Sequence, residues 1–236
     1  MNSAKTEITP SRAVKLLRML SLDQQAHILY GNPDFGGNVV MLPKNGNPND
    51  PEFVVMDTED NKKRAIDFRF GIMEKTCKDM ASFFWMINKA DRLTILHLFS
   101  TIGGLNGEYE SILKDAWVST EFPHQTAIPQ LIAMFKRADC NKMMDGADKK
   151  KLAELPDEIT IYRGLQDKRA KRKGLSWSLS YDKALWFATR WNQPDARVLI
   201  ARIKKKDVFI YTNQRGEEEV VVDPGKLKGI QKVEIL

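Results

Sequence analysis

Three short segments hold the residues whose types and spacing suit chemistry. Ile161-Tyr162-Arg163-Gly164 sets an arginine at the end of an alternating apolar run. Gly174-Leu175-Ser176-Trp177-Ser178 places two serines ahead of a helical pattern with Ala184, Phe187 and Ala188. Arg215-Gly216-Glu217-Glu218-Glu219-Val220-Val221-Val222 leads three carboxylates into an apolar run. Taken singly, each has a plain explanation. A strand-end arginine is a surface charge, Ser-x-Ser before a helix is a capping arrangement, and a glutamate triplet is a solvated edge. Strand alternation, however, points Glu217 and Glu219 to one face and Glu218 to the other. Two carboxylates on one face, beside a run that should be buried, are costly without a purpose, which argues for use of the pair.

In order, the three segments resemble the arginine–serine–glutamate class of ADP-ribosyltransferases. That family often has Tyr-Arg-Gly around its arginine, as at Tyr162-Arg163-Gly164, and Ser-Thr-Ser in its serine motif, of which Ser176-Trp177-Ser178 keeps both ends. Its glutamate motif commonly continues through small aliphatics to a proline, as the run from Glu219 to Pro224 does. The match spans residues 158–224. Trp177 stands where the family has threonine, and only twelve residues separate Arg163 from Ser176, with the basic stretch Lys168-Arg169-Ala170-Lys171-Arg172-Lys173 among them. That stretch is a solvated loop or a contact for phosphates or an acidic target.

The resemblance implies a mono-ADP-ribosyltransferase that consumes NAD as a substrate, needs no metal and modifies a protein. Cleavage of the nicotinamide–ribose bond passes through an oxocarbenium-like centre. By resemblance, Glu219 stabilises that charge and contacts the ribose 2′-hydroxyl. Arg163 offers a planar cationic fork to a pyrophosphate or ribose oxygen, and Ser176 holds the Glu219 carboxylate. The NAD site then comprises Arg163, Gly164, Ser176, Trp177, Ser178, Phe187 and Glu219. Glu217 matches the position that selects the acceptor, and a glutamate there goes with arginine, whose guanidinium must lose a proton to attack. Tyr211, on the turn ahead of the glutamates, joins Glu217 in recognising the acceptor. The Ser-Trp-Ser form is similar to small transferases of bacteriophages and bacteria, which implies action on host machinery. Hydrolysis of NAD by water and modification of a nucleic-acid base remain alternatives. So does a non-catalytic basic module that binds nucleic acid or a protein partner through residues 168–173 and Lys204-Lys205-Lys206.

The elements that must position these residues can be read from periodicity. Thr9-Pro10 and Ser21 open two helices, the second ending at Gly31, and residues 31–51 are turn-rich around the apolar run Val39 to Leu42. Phe53 to Met56 reads as a strand, and Ala65 to Ile72 as another through alternation at Ile66, Phe68 and Phe70. Helical spacing then takes over, with stripes at Met80, Phe83, Phe84 and Ile87, at Leu93, Leu96, His97 and Phe99, at Tyr109, Ile112, Leu113 and Trp117, and at Ile128, Leu131, Ile132 and Phe135. After Pro156 come strands at Ile159 to Tyr162, Val198 to Ile203, Val208 to Tyr211, Val220 to Val222 and Val233 to Leu236, with a helix capped by Ser180. A helical block followed by short strands predicts an α+β fold, and the resemblance makes it a helical layer on a small, mainly antiparallel, split sheet of ADP-ribosyltransferase type. The expected division is a mixed α/β appendage over 1–75 and a domain over 76–236, with helices to 155 and a β-rich core from 156.

Composition bounds this reading. With 42% apolar residues, five Trp and eleven Phe, the chain can bury a substantial core and is not a disordered sequence. Its 37 basic residues against 31 acidic ones give a net charge of +6, which suits nucleic acid or an acidic partner. Cys77 and Cys140 lie in no CxxC or Cys/His cluster, and His27, His97 and His124 show no ligand spacing, so neither a disulfide framework nor a zinc site is expected. The start of the sequence has no signal-like apolar run and no segment is long enough to span a membrane, so a soluble, cytoplasmic protein is expected.

Overall fold

Thr9 accepts a hydrogen bond from the Arg12 backbone and Pro10 takes the first helical position, which starts α1 (Pro10–Leu17) where the sequence predicts it. Ser21 and Gln24 form a capping box for α2 (Leu22–Tyr30). The computed structural model describes residues 6–31, 39–105, 107–120, 126–166 and 174–234. The basic stretch 168–173, the turn residues 32–38, His124 and the final two residues of the expected last strand lie outside them. The chain divides into two units, Met1–Ala127 and Ile128–Leu236. That division falls well after the boundary read at residue 75: the helices over 80–119 group with the N-terminal segment.

In the first unit, a hairpin of β1 (Val39–Lys44) and β2 (Asn47–Val55) precedes α3 (Glu59–Thr76), α4 (Met80–Trp85), α5 (Arg92–Ile102) and α6 (Tyr109–Ser119). The strand expected over Ala65 to Ile72 is instead the middle of α3. Thr58 caps that helix by accepting from Asn61 N–H, and Glu59 and Asp60 complement its positive end. Ile66, Phe70 and Met73 are buried at helical spacing, whereas Phe68 faces outward, so the apparent alternation is a coincidence of composition. Phe83, Phe84 and Phe99 form a ring cluster with centroids 5.9–6.2 Å apart.

The second unit runs α7 (Ile128–Arg137), α8 (Cys140–Met143), α9 (Gly146–Glu154), β3 (Glu158–Leu165), β4 (Ser176–Ser178), α10 (Tyr181–Thr189), β5 (Arg197–Lys204), β6 (Val208–Thr212), β7 (Glu219–Val222) and β8 (Lys228–Glu234). Its sheet has the order β6-β7-β4-β3-β5-β8, and every pairing in it is antiparallel. Helices and antiparallel sheets thus make the α+β architecture. One face buries Ile159, Ile161, Trp177, Leu199, Tyr211 and Val220, with Leu152 and Leu155 packed against them. On the other face, Ala184 and Ala188 of α10 pack against Val198. β3 and β5 pair along eight residues, but β3 and β4 meet only at Tyr162 and Ser178. The sheet is therefore nearly parted into two three-stranded halves along that seam. Among the described residues no helix is long and apolar enough to cross a membrane.

Candidate active site at the seam

Arg163 lies one residue beyond the only β3–β4 pair. Pleating puts it on the face of Ile161 and Leu165, and its Nη1 donates to the Ser176 carbonyl oxygen. An uninterrupted ladder would have paired that carbonyl with β3 backbone, so the guanidinium fills the opening where the strands diverge. Gly174 makes room for it: a Cβ there would stand 2.5 Å from Nη2 and 2.6 Å from Cζ. Arg163 Nε is buried and has no hydrogen-bond partner. Burial pushes the guanidinium pKa down, and the nearby Glu219 carboxylate opposes that shift by stabilising the positive charge. The arginine and the last glutamate therefore sense each other across the seam.

Gly164 sets the depth at which α10 packs. A Cβ on it would lie 2.6 Å from Ala188 N and overlap the Ala184 carbonyl oxygen. The absence of that atom lets the helix, with Phe187, rest directly on β3. Ser180 caps α10 by accepting from Lys183 N–H, the role expected of it.

β4 and β7 pair with Ser176 opposite Val221, Trp177 opposite Val220 and Ser178 opposite Glu219. The serine directly across from Glu219 is thus Ser178, not Ser176. Ser178 is buried; its Oγ donates to the Glu217 carbonyl at 2.8 Å and accepts from Ser180 N–H at 3.0 Å. Leu179 N–H donates to the Glu218 carbonyl at 3.0 Å, so two backbone carbonyls of the glutamate segment are clipped to the serine segment, one by a hydroxyl and one by a backbone N–H. Ser176 remains half-buried beside the Arg163 contact.

Two residues expected to touch ligand are held elsewhere. Trp177 is 2% exposed; the pleat turns it to the core face, and its indole N–H donates to the Gly174 carbonyl at 2.9 Å. Its contribution is to fix Gly174, and through it Arg163. Tyr211 is not on a turn. β6 continues to Thr212, and pairing with Val220 carries Tyr211 into the same core row as Trp177, where it is 3% exposed. Burial, with Glu218 and Asp148 nearby, raises its phenol pKa. A residue so enclosed cannot select an acceptor.

The turn ahead of Glu219 is braced from within. Asn213 Oδ1 accepts from Glu218 N–H at 3.0 Å, and Asn213 N–H donates to Asp148 Oδ1 at 3.2 Å. Gly216 and Glu218 both take left-handed backbone, with φ of 68° and 47°. The strand begins only at Glu219, so the alternation that put Glu217 and Glu219 on one face does not operate there. Glu217 is engaged by Arg215: Nε lies 2.8 Å and Nη2 2.6 Å from its Oε1. Gly174 and Arg215 were missed as site residues, although each sits two residues before one that was named. No sequence signal showed that Gly174 would cradle a guanidinium, because Arg163 reaches it across strands.

Among the described residues no cluster of His, Cys, Asp and Glu could hold a metal ion, and Cys77 and Cys140 form no disulfide. Comparisons of the chain with protein-family models, curated proteins and solved structures gave no match.

Proposed function

We propose that the second unit is an NAD-dependent mono-ADP-ribosyltransferase with a protein acceptor, modified at arginine. The observation that carries this reading is the seam itself, where the Arg163 guanidinium reaches the backbone carbonyl of Ser176 on the strand whose Ser178 pairs with Glu219. The near-parting of the sheet beside Arg163 favours a split sheet of the ADP-ribosyltransferase kind. The orphaned, buried Nε of Arg163 is a donor that an oxygen of a pyrophosphate or ribose would satisfy.

In this reading Arg163 orients the dinucleotide, and Glu219 lies where positive charge develops on the ribose. A carboxylate fixed by β7 stabilises that charge without having to reorganise, which is the larger part of the rate gain in such sites. Glu217 takes a proton from the incoming guanidinium as nitrogen bonds to the ribose carbon and nicotinamide leaves. Trp177 acts indirectly, by holding Gly174.

The test is release of nicotinamide from NAD by the purified protein. Glu219→Gln should lower the rate by about 100-fold or more, the scale on which single charge-stabilising groups act, while circular dichroism stays unchanged. Wild type and variant equally inert across arginine-containing acceptors would end the proposal. The Arg215–Glu217 pair favours a second reading in which water is the acceptor, since a guanidinium already occupies Glu217. Mass spectrometry of agmatine incubated with enzyme and NAD separates the two: an adduct supports transfer, and nicotinamide release with no adduct supports hydrolysis.

A further inference from the structure

The end of α10 carries a cluster whose members Trp186, Arg190 and Trp191 the proposed chemistry does not use. Trp186 and Trp191 are 55% and 58% exposed, a large share for the largest apolar side chain. Between them the Arg190 guanidinium carbon lies 5.4 Å from the Trp186 ring centroid, 5.0 Å from that of Phe187 and 5.3 Å from that of Trp191. Trp186 and Phe187 meet edge to face, with centroids 5.0 Å apart. The group is pinned from below. With the Gln166 amide turned to suit its neighbours, its oxygen accepts from Trp191 Nε1 at 2.9 Å and from Arg190 Nε at 3.2 Å.

These facts combine into one surface property. The ring nitrogen of Trp191 is already satisfied, so its exposed ring face needs no hydrogen bond and is open to stacking. The Arg190 terminal nitrogens meet no carboxylate among the described residues. Cation–π contact holds the guanidinium in place, and among the described residues its charge has no counter-ion. A planar π-system next to an anion answers both needs at once. Small-molecule sites enclose most of their ligand, whereas rings more than half exposed make an open platform suited to a chain that touches several points. The net charge of +6 favours a polyanion.

We propose that Trp186, Arg190 and Trp191 form a stacking platform for single-stranded nucleic acid, with bases on the indoles and a backbone phosphate at Arg190. This inference stands apart from the transferase reading. It uses Trp186 at the end of α10 and Arg190 and Trp191 just beyond it; Phe187, read above as part of the NAD site, enters only as a packing neighbour.

Fluorescence polarisation of a labelled oligodeoxyadenylate of about twelve nucleotides, long enough to span one such platform, tests it on the full chain. Trp186→Ala and Trp191→Ala should each raise Kd by about 5- to 160-fold, the range for loss of one base–aromatic stack. Trp191→Phe, which keeps a ring, should stay near wild type. Arg190→Gln should weaken binding and flatten its salt dependence by about one phosphate's worth. Trp186 makes no hydrogen bond to Gln166, so its variant remains informative if Trp191→Ala disturbs the fold. Equal affinity for duplex of the same sequence would overturn the proposal, as would unchanged binding in the Trp186→Ala/Trp191→Ala double variant. Adenosine monophosphate binding as tightly as the oligonucleotide would assign the platform to a free nucleotide. Competition by a polyglutamate peptide at equal concentration would assign it to a protein.

Discussion

Arg215 approaches Glu217 through two nitrogens that share one carboxylate oxygen, with side chains 39% and 21% exposed. Partly solvated pairs of this kind are worth about 0.2–1 kcal/mol. If Glu217 activates an arginine acceptor, Arg215 is its internal competitor. Arg215→Ala should then lower KM for agmatine by about 1.4- to fivefold, the equilibrium equivalent of that pair, with acceptor-free NAD cleavage unchanged. A KM that rises would mean that Arg215 orients Glu217 instead of shielding it. At this scale much of the candidate site was legible in the sequence. Arg163, Glu219 and Ser178 come from the segments that named them, because each sits on or beside a strand whose apolar neighbours fix its register. Trp177 and Tyr211 were misread for the same reason in reverse. Alternation from Val220 and Leu175 predicts their faces once pairing is known, and pairing across β4, β7 and β6 is not written in any one segment.

α10 depends on Gly164 more directly than on any side chain beneath it. Gly164→Ala puts a methyl group against helix backbone at both Ala184 and Ala188, and backbone cannot rotate away as a side-chain tip can. Overpacking of this kind costs about 1–3 kcal/mol. Urea titration should therefore show a lower midpoint for Gly164→Ala, whereas Gly146→Ala, whose added Cβ meets open space, should be near neutral. Similar midpoints for the two variants would show that α10 shifts freely on β3. Elements with a cap and a stripe were legible from the sequence: Thr9, Ser21 and Ser180 all cap the helices expected of them. The α3 segment was not, since Ile66, Phe68 and Phe70 satisfy a two-residue period by chance. Only Met73 and the Thr58 cap, outside that window, reveal the longer one.

Across the whole molecule, two units carry separate titration behaviour. In the first, Tyr30 donates its hydroxyl to the Ala65 carbonyl at 2.7 Å, and burial, offset in part by Arg69, pushes its pKa from 10.0 up to about 12. The folded state therefore holds this proton more tightly than the unfolded chain. Stability from the group is complete below pH 10.0 and is lost as pH rises through about 12. Phenolate absorbance should show Tyr30 and Tyr211 of the five tyrosines ionising late, the Tyr30 step together with loss of near-ultraviolet dichroism. Tyr30→Phe should lower the late absorbance by one phenolate; an unchanged late amplitude would show that Tyr30 is not held protonated by the fold. The division of the chain was harder to read than its elements. The change at residue 75 from turn-rich to helical sequence is real, but the helices over 80–119 group with the segment before it, and a boundary depends on contacts that composition does not record.

Glu218 adopts a backbone conformation that stops the pleat one residue before the sheet begins. One carboxylate consequently belongs to the sheet and the other to a turn, although they are two positions apart in sequence. Side chains at 214–216 can therefore change without moving Glu219, provided Asn213 keeps its bonds to Asp148 and Glu218 and the Glu217 carbonyl keeps Ser178. If the proposed transferase reading holds, a library randomised over 214–216, with Asn213, Glu217 and Glu219 fixed, is the place to look for altered acceptors.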